Sequence, residues 1–277
     1  MGRRIMTRHW GRHQTRQASL RQLLRVGRLL FLRDFRARYR QAFFKYVWAV
    51  ARPLMAVVPL ILVGNAFGFG GDMSASEYVL FALSGFLLWQ VFWDAVIAPQ
   101  WLGRRLRRTF VDGPLPPEAV VTAGAGLVMF NSLFYGALFV VAYVLTPATP
   151  PLTLPLGLLA LPVIVLGGLT VGAFFVPLTF VYLDFRFGLP MLAPALLWTA
   201  PILYAAPEAG LLAVVNRWNP LTYLINIPRR WLVSGTTDND LLFVVCAGVF
   251  VVLAIAMLMF FRRAMPLAVQ SLPQARR

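Results

Sequence analysis

The chain has 277 residues, 59% of them apolar and only 13% charged, with 26 Lys and Arg against 10 Asp and Glu for a formal net charge of +16. A soluble domain is about half apolar and about a quarter charged, so this chain is too apolar for its size to be one, and disorder, which needs low hydrophobicity, is excluded. The single cysteine, Cys246, excludes a disulfide-stapled secreted domain; a soluble nucleic-acid binder would explain the charge without the apolar excess, whereas a membrane protein explains both.

In chain order, residues 1–18 read as a basic cytoplasmic tail holding both histidines, His9 and His13. Arg3-Arg4 resembles a twin-arginine export signal, but no apolar core follows it, so the first span is expected to act as its own uncleaved insertion signal. Residues 19–45 predict a helix that does not cross the membrane. Leu20, Leu23, Leu24, Leu30, Phe31 and Phe35 fall near one face, and Arg21, Arg25, Arg28, Arg36 and Arg40 on another. Such a helix lies in the interface plane with its cations near anionic head groups. It serves either as a topology anchor or as the frame of a membrane entrance or docking surface.

A membrane-crossing helix needs roughly 20 mostly apolar residues, and six stretches qualify: about 47–67, 78–98, 120–145, 154–182, 187–206 and 241–261. None alternates with period 2, which argues against a barrel. The predicted class is all-α integral membrane. Of the 26 basic residues, 23 lie in residues 1–52, after the last span, or in the 99–118 loop and the Arg186 turn. Only Arg217, Arg229 and Arg230 fall on the other side. The excess of Lys and Arg inside predicts cytoplasmic termini, a tail at 266–277 and an extracellular 207–240 connection.

In the 99–118 loop, Arg104, Arg105, Arg107 and Arg108 lead into Pro114, Pro116 and Pro117, which stiffen the corner. Glu118 falls in the first turn of the next helix, where the helix dipole favours an acid. The loop reads as a docking element or as a plain positive-inside loop. The 207–240 stretch predicts two half-helices broken around Asn219-Pro220, re-entering the membrane under cover of protein or a water-filled cavity. Arg229 and Arg230 at its far end either meet phosphate groups or snorkel. Phe86, Trp89, Phe92 and Trp93 recur at three- and four-residue spacing, as an interfacial aromatic belt or as a stacking surface for sugar rings. Gly64-Gly68 and Gly168-Gly172 match the spacing that allows close helix contact.

Ionisable residues in or near the spans are Asp94, expected near the cytoplasmic interface, with Asp184 and Arg186 in a cytoplasmic turn. No carboxylate or histidine relay is expected at mid-depth, which disfavours a proton- or sodium-driven carrier. The sequence has no HExxH, no paired carboxylates and no GxxxxGK[ST], so metal, acid/base and nucleotide chemistry are expected elsewhere than on this chain.

The run Leu32-Arg33-Asp34-Phe35-Arg36-Ala37-Arg38-Tyr39-Arg40, followed by Trp48-Ala49 and Arg52-Pro53-Leu54, resembles the opening signature of type-2 ABC exporter permeases. The nearest branch is the one exporting lipid-linked polysaccharides such as O-antigen and teichoic acid. Pro177-Leu178-Thr179 with Tyr182-Leu183-Asp184-Phe185-Arg186 is similar to that family's fourth-span exit, and Pro201-Ile202-Leu203-Tyr204 to its fifth-span end. Asn219-Pro220-Leu221, Arg229-Arg230-Trp231 and Ser234-Gly235 are similar to its extracellular segment. The likeness covers about residues 25–265 in the family's order. The loop at 106–118 departs from the pattern, since the family's adjacent Phe-Pro pair is here separated into Phe110 and Pro114.

The resemblance implies a transmembrane domain over 19–265, a homodimer in a bacterial inner membrane, and two copies of a separate cytoplasmic ATPase that carries ATP and magnesium. It implies an interface helix carrying Arg33, Asp34, Arg36, Arg38, Tyr39 and Arg40. ATPase coupling falls to Arg107, Arg108, Phe110, Asp112, Pro114 and Glu118. A substrate path is expected along Phe86, Trp89, Phe92, Trp93, Tyr204, Trp218, Tyr223, Arg229, Arg230 and Trp231. The expected cargo is a lipid-linked glycan, with membrane lipids as further partners and no nucleic acid, no metal and no enzymatic step on this chain. The alternatives are a drug or small-lipid exporter permease of the same superfamily, and a membrane-embedded lipid-modifying enzyme.

Overall fold

A computed structural model of the chain describes residues 20–39, 45–112, 115–182 and 184–270, and among these the fold is all helical, with no strand. Helix α1 (Leu20–Tyr39) precedes α2 (Lys45–Ala66), α3 (Ala75–Arg105) and the short α4 (Arg107–Asp112). There follow α5 (Glu118–Leu145), α6 (Leu154–Leu159), α7 (Leu161–Val181) and α8 (Phe185–Thr199). The chain ends through α9 (Leu211–Trp218), α10 (Pro220–Val233) and α11 (Asp240–Gln270).

Among the described residues, four segments are long and apolar enough to cross a membrane: α3, α5, the 154–181 run through α6 and α7, and α11. They give the chain the character of a membrane protein. The first and fifth expected spans are shorter as apolar helices, Pro53–Ala66 and Phe187–Thr199. The fifth stops well before the expected residue 206, because Pro201 disfavours helix at Ala200 and the chain stays unwound to Ala206.

Helix α3 starts where Ser74 and Glu77 form a capping box: the Glu77 amide donates to Ser74 Oγ (3.3 Å), and the Ser74 amide donates to Glu77 Oε2 (2.8 Å). It passes through Pro99 without stopping and runs to Arg105, beyond the expected end at 98. Across the bundle the order is α1, α5, α3, α7, α11, each packed on the next. Helix α3 is the central member, and its residues dominate the main core cluster.

The α3–α7 contact is built on glycine. A Cβ on Gly168 would stand 2.3 Å from the Phe92 carbonyl oxygen, and one on Gly172 would stand 2.4 Å from that of Val96. Small residues four apart are what let two backbones approach this closely. The other glycine pair works differently. Helix α2 ends at Ala66, Gly68 turns the chain at φ +70, and Gly64 makes room for the Tyr78 ring.

Helix α11 exposes Leu241, Val245, Val252, Ile255 and Met259 along its length. Helix α1 runs alongside the start of α5, with Gly27 against Thr122, Phe31 against Gly126 and Phe35 edge-on to Phe130. Each contact lies four residues beyond the last in both helices. The expected amphipathic helix is thus docked on the bundle, with Leu23, Leu30 and Asp34 on its buried face; Leu24, placed on that face by periodicity, is exposed.

Candidate functional site

At one end of the bundle, the ends of α3 and α11 meet the start of α5. Arg105 Nη1 donates to Asp34 Oδ1 at 2.5 Å and lies over the Trp101 ring, and Arg262 Nε donates to Glu118 Oε1 at 2.6 Å. Arg33, Arg36 and Arg107 are exposed there. Phe110, expected to contact a coupled partner, is instead buried: it packs edge-on to Phe180 within a cluster that includes Leu106, Val120 and Phe261. An aromatic ring four residues after the apolar Leu106 folds inward to cover it, so Phe110 fastens α4 to the bundle. Asp34 likewise faces inward, spent on Arg105. Arg38 and Tyr39 fall in α1, Arg108 and Asp112 in α4, whereas Arg40 and Pro114 lie outside the described residues.

Midway along the bundle is a polar patch that span-by-span reading missed. Asp94 Oδ1 accepts from Gln90 Nε2 at 2.9 Å, and Oδ2 accepts from the Tyr135 hydroxyl at 2.7 Å and from Asn131 Nδ2 at 3.4 Å. Gln90, Trp93, Asp94 and Asn131 are each partly exposed. With α3 continuing to Arg105, eleven residues further, the carboxylate stands about 16 Å from that end. The signal lay in two i, i+4 pairs, Gln90/Asp94 and Asn131/Tyr135, on otherwise apolar antiparallel spans.

The expected aromatic path is mostly core. Phe86, Trp89 and Phe92 are no more than 6% exposed, because α3 is surrounded by α2, α5, α7 and α10. Only Trp93 reaches the surface, stacked nearly parallel on Trp89 at 6.2 Å between centroids. Partly exposed beside a carboxylate and two amides, Trp93 offers what a sugar ring uses: a plate for its C–H face and acceptors and donors for its hydroxyls.

The opposite end is irregular. The chain unwinds after Thr199, and its carbonyls are met by side chains. Arg229 Nη1 donates to the carbonyls of Pro201 (2.8 Å) and Ile202 (3.1 Å), the Tyr78 hydroxyl to Leu203 (2.8 Å), and Asn219 Nδ2 to Thr199 (3.1 Å). Arg229 is 4% exposed, and its guanidinium lies 3.6 Å from the Phe81 ring centroid. Neither phosphate contact nor snorkelling describes it; it is a buried clamp on an unwound strap, required because backbone groups away from water need partners.

The break at Asn219-Pro220 is observed as expected, with the Asn219 side chain accepting from the Leu221 amide. Trp231 is buried edge-on to Phe243, with its indole N–H donating to Asp240 Oδ1 (2.9 Å). The Tyr223 hydroxyl donates to the Arg217 carbonyl (2.8 Å), and Trp218 is exposed. The Tyr204 hydroxyl reaches both the Trp198 carbonyl (3.1 Å) and Asn216 Oδ1 (3.2 Å). Arg230 is partly exposed and lines a pocket between α9, α10 and the start of α11. No protein-family model matches the chain, and no curated protein is similar to it in sequence.

Proposed function

We propose that this chain is the permease subunit of an ATP-driven exporter that carries a lipid-linked polysaccharide, of O-antigen, capsule or teichoic acid type, outward across a bacterial inner membrane. In this reading the chain crosses six times with both termini in the cytoplasm, and two copies form the path. Each copy binds a cytoplasmic ATPase through the end that carries α1, α4 and Arg107.

The observation that carries the reading is the part-exposed Asp94–Gln90–Asn131 patch beside the part-exposed Trp93 ring, midway along two membrane-length helices. A carboxylate turned to lipid at that depth would cost about 2.5–3.5 kcal/mol. It is retained where it faces a second copy or a wet path. A stacking plate flanked by hydrogen-bonding groups suits a glycan passing along that path better than an apolar drug. The ordered blocks resembling polysaccharide-exporting permeases supply the same substrate class.

The test is export itself. In cells lacking the chromosomal copy, the intact chain restores surface glycan, co-purifies with an ATPase encoded beside it, and stops exporting when ATP is depleted. Trp93→Ala with Asp94→Asn is expected to slow glycan export about tenfold while the ATPase still co-purifies, as the loss of one stacking and one charge-assisted contact implies. Export that persists without ATP, from a chain that retains no ATPase, removes the reading.

A further inference from the structure

The pocket at the irregular end has a volume of about 230 Å³ and is half open to the outside. It forms where the two half-helices α9 and α10 part and the first turn of α11 closes one side. Arg217 and Arg230 both line it, and none of its lining residues is Asp or Glu. Among the described residues neither arginine has a carboxylate partner. Two further lining residues, Asn216 (5% exposed) and Thr222 (7% exposed), leave Asn216 Nδ2 and the Thr222 hydroxyl without a hydrogen-bond partner.

Buried polar groups without partners are rare in a folded protein, and each calls for an explanation. Two guanidinium groups, an amide N–H and a hydroxyl, gathered without a counter-charge, form a donor set for an oxyanion. A phosphate has the charge and the oxygens to use all four, and arginine forks match its geometry. The rim also has a side for a lipid tail: Leu211, Val214 and Trp218 on α9 are all more than half exposed. Those residues give α9 an apolar face beside a cationic cavity, the arrangement of a helix resting at a lipid surface.

We propose that this pocket binds a phosphate group, carried on a lipid head group or free in solution, held by Arg217, Arg230, Asn216 and Thr222. The inference does not depend on the transport reading, since it rests on a different part of the molecule and on binding alone.

Trp218 supplies the probe. The full chain is placed in nanodiscs in which either phosphatidylglycerol or phosphatidylcholine carries brominated tails, and the Trp218 signal is taken as the difference between the intact chain and Trp218→Phe. Both lipids carry a phosphate, but choline cancels its charge, so a lipid-borne phosphate held by two guanidinium groups predicts that brominated phosphatidylglycerol quenches Trp218 more than brominated phosphatidylcholine, and that Arg217→Gln with Arg230→Gln abolishes the difference. Free phosphate predicts equal quenching by both lipids, with radiolabelled inorganic pyrophosphate retained by the intact chain and lost from the double variant. Each removed arginine is expected to weaken binding about tenfold, as for a hydrogen bond to a charged group. Thr222→Val, which keeps shape and both charges, tests the buried hydroxyl separately and is expected to weaken binding less. Lipid preference and pyrophosphate retention that are absent, or unchanged in the double arginine variant, overturn the proposal whatever glycan export does.

Discussion

The two ends of the bundle are held by different chemistry. At the end with Arg105 and Glu118, helices stop regularly and are joined by ion pairs whose arginines are more than 40% exposed. At the end with Arg229, a helix unwinds after Thr199, and buried donors from α3 and α10 reach across to its carbonyls. The first end uses charge because water is at hand. The second uses charge because water is not, and an unwound backbone in an apolar bundle needs donors from somewhere. Similar residue types therefore have unequal weight: an arginine at the first end adds to a surface, while Arg229 completes a backbone.

The sharpest test of that contrast is Arg229→Met, which keeps the side-chain length and removes the donors. Two buried carbonyls lose their partner and the Phe81 ring loses its cation. Removing the burial cost of a charge offsets part of this, leaving an expected destabilisation of about 2–4 kcal/mol. Arg229→Lys keeps the charge without the guanidinium's planar fork and is expected to fall between the two. Thermal unfolding in detergent, followed by size-exclusion fluorescence, reads the order. A methionine variant as stable as the intact chain would show that the strap does not need the clamp.

A smaller effect is expected from Tyr78→Phe. The ring stays against Gly64 and Gly70, so packing is kept and only the hydroxyl on the Leu203 carbonyl is lost. One buried acceptor left without its donor costs about 1–3 kcal/mol. The same assay applied to the Arg229→Met, Tyr78→Phe double variant should show losses that fail to add, because both residues fasten the three-residue stretch Pro201–Leu203. Additive losses would mean that the two clamps act independently.

How much of this was legible in the sequence follows the same division. Periodicity and run length found the long helices, the amphipathic first helix and the break at Asn219-Pro220, because each depends on local composition. The Gly168-Gly172 contact was also readable, since spacing alone puts both glycines on one face. What escaped was decided by neighbours distant in the chain. Arg229 reads as a loop cation until Pro201 and Ile202 come within reach of it. Asp94 reads as a lone charge on its span until its partners Asn131 and Tyr135, on another span, come within reach of it. The aromatic stripe at 86–93 reads as a surface because its spacing is helical; only the crowding of α3 on all sides turns three of its four rings into core.

The smallest effect should come from the first end. Glu118→Gln removes the charge opposite Arg262, a pair in which the arginine is 41% exposed and the glutamate 12%. Solvent screens such a pair, so its loss is expected to cost only about 0.2–1 kcal/mol. Glu118 also sits in the first turn of α5, where its charge favours the helix independently of Arg262. A double-mutant cycle with Arg262→Gln separates the two: coupling that shrinks as salt is raised from low to physiological strength belongs to the ion pair, and the salt-insensitive remainder of the Glu118→Gln loss belongs to packing and the helix end. If instead the cycle gave a coupling as large as the loss at Arg229, the pair would be shielded from water, and the contrast between a solvated end and a dry one would be wrong.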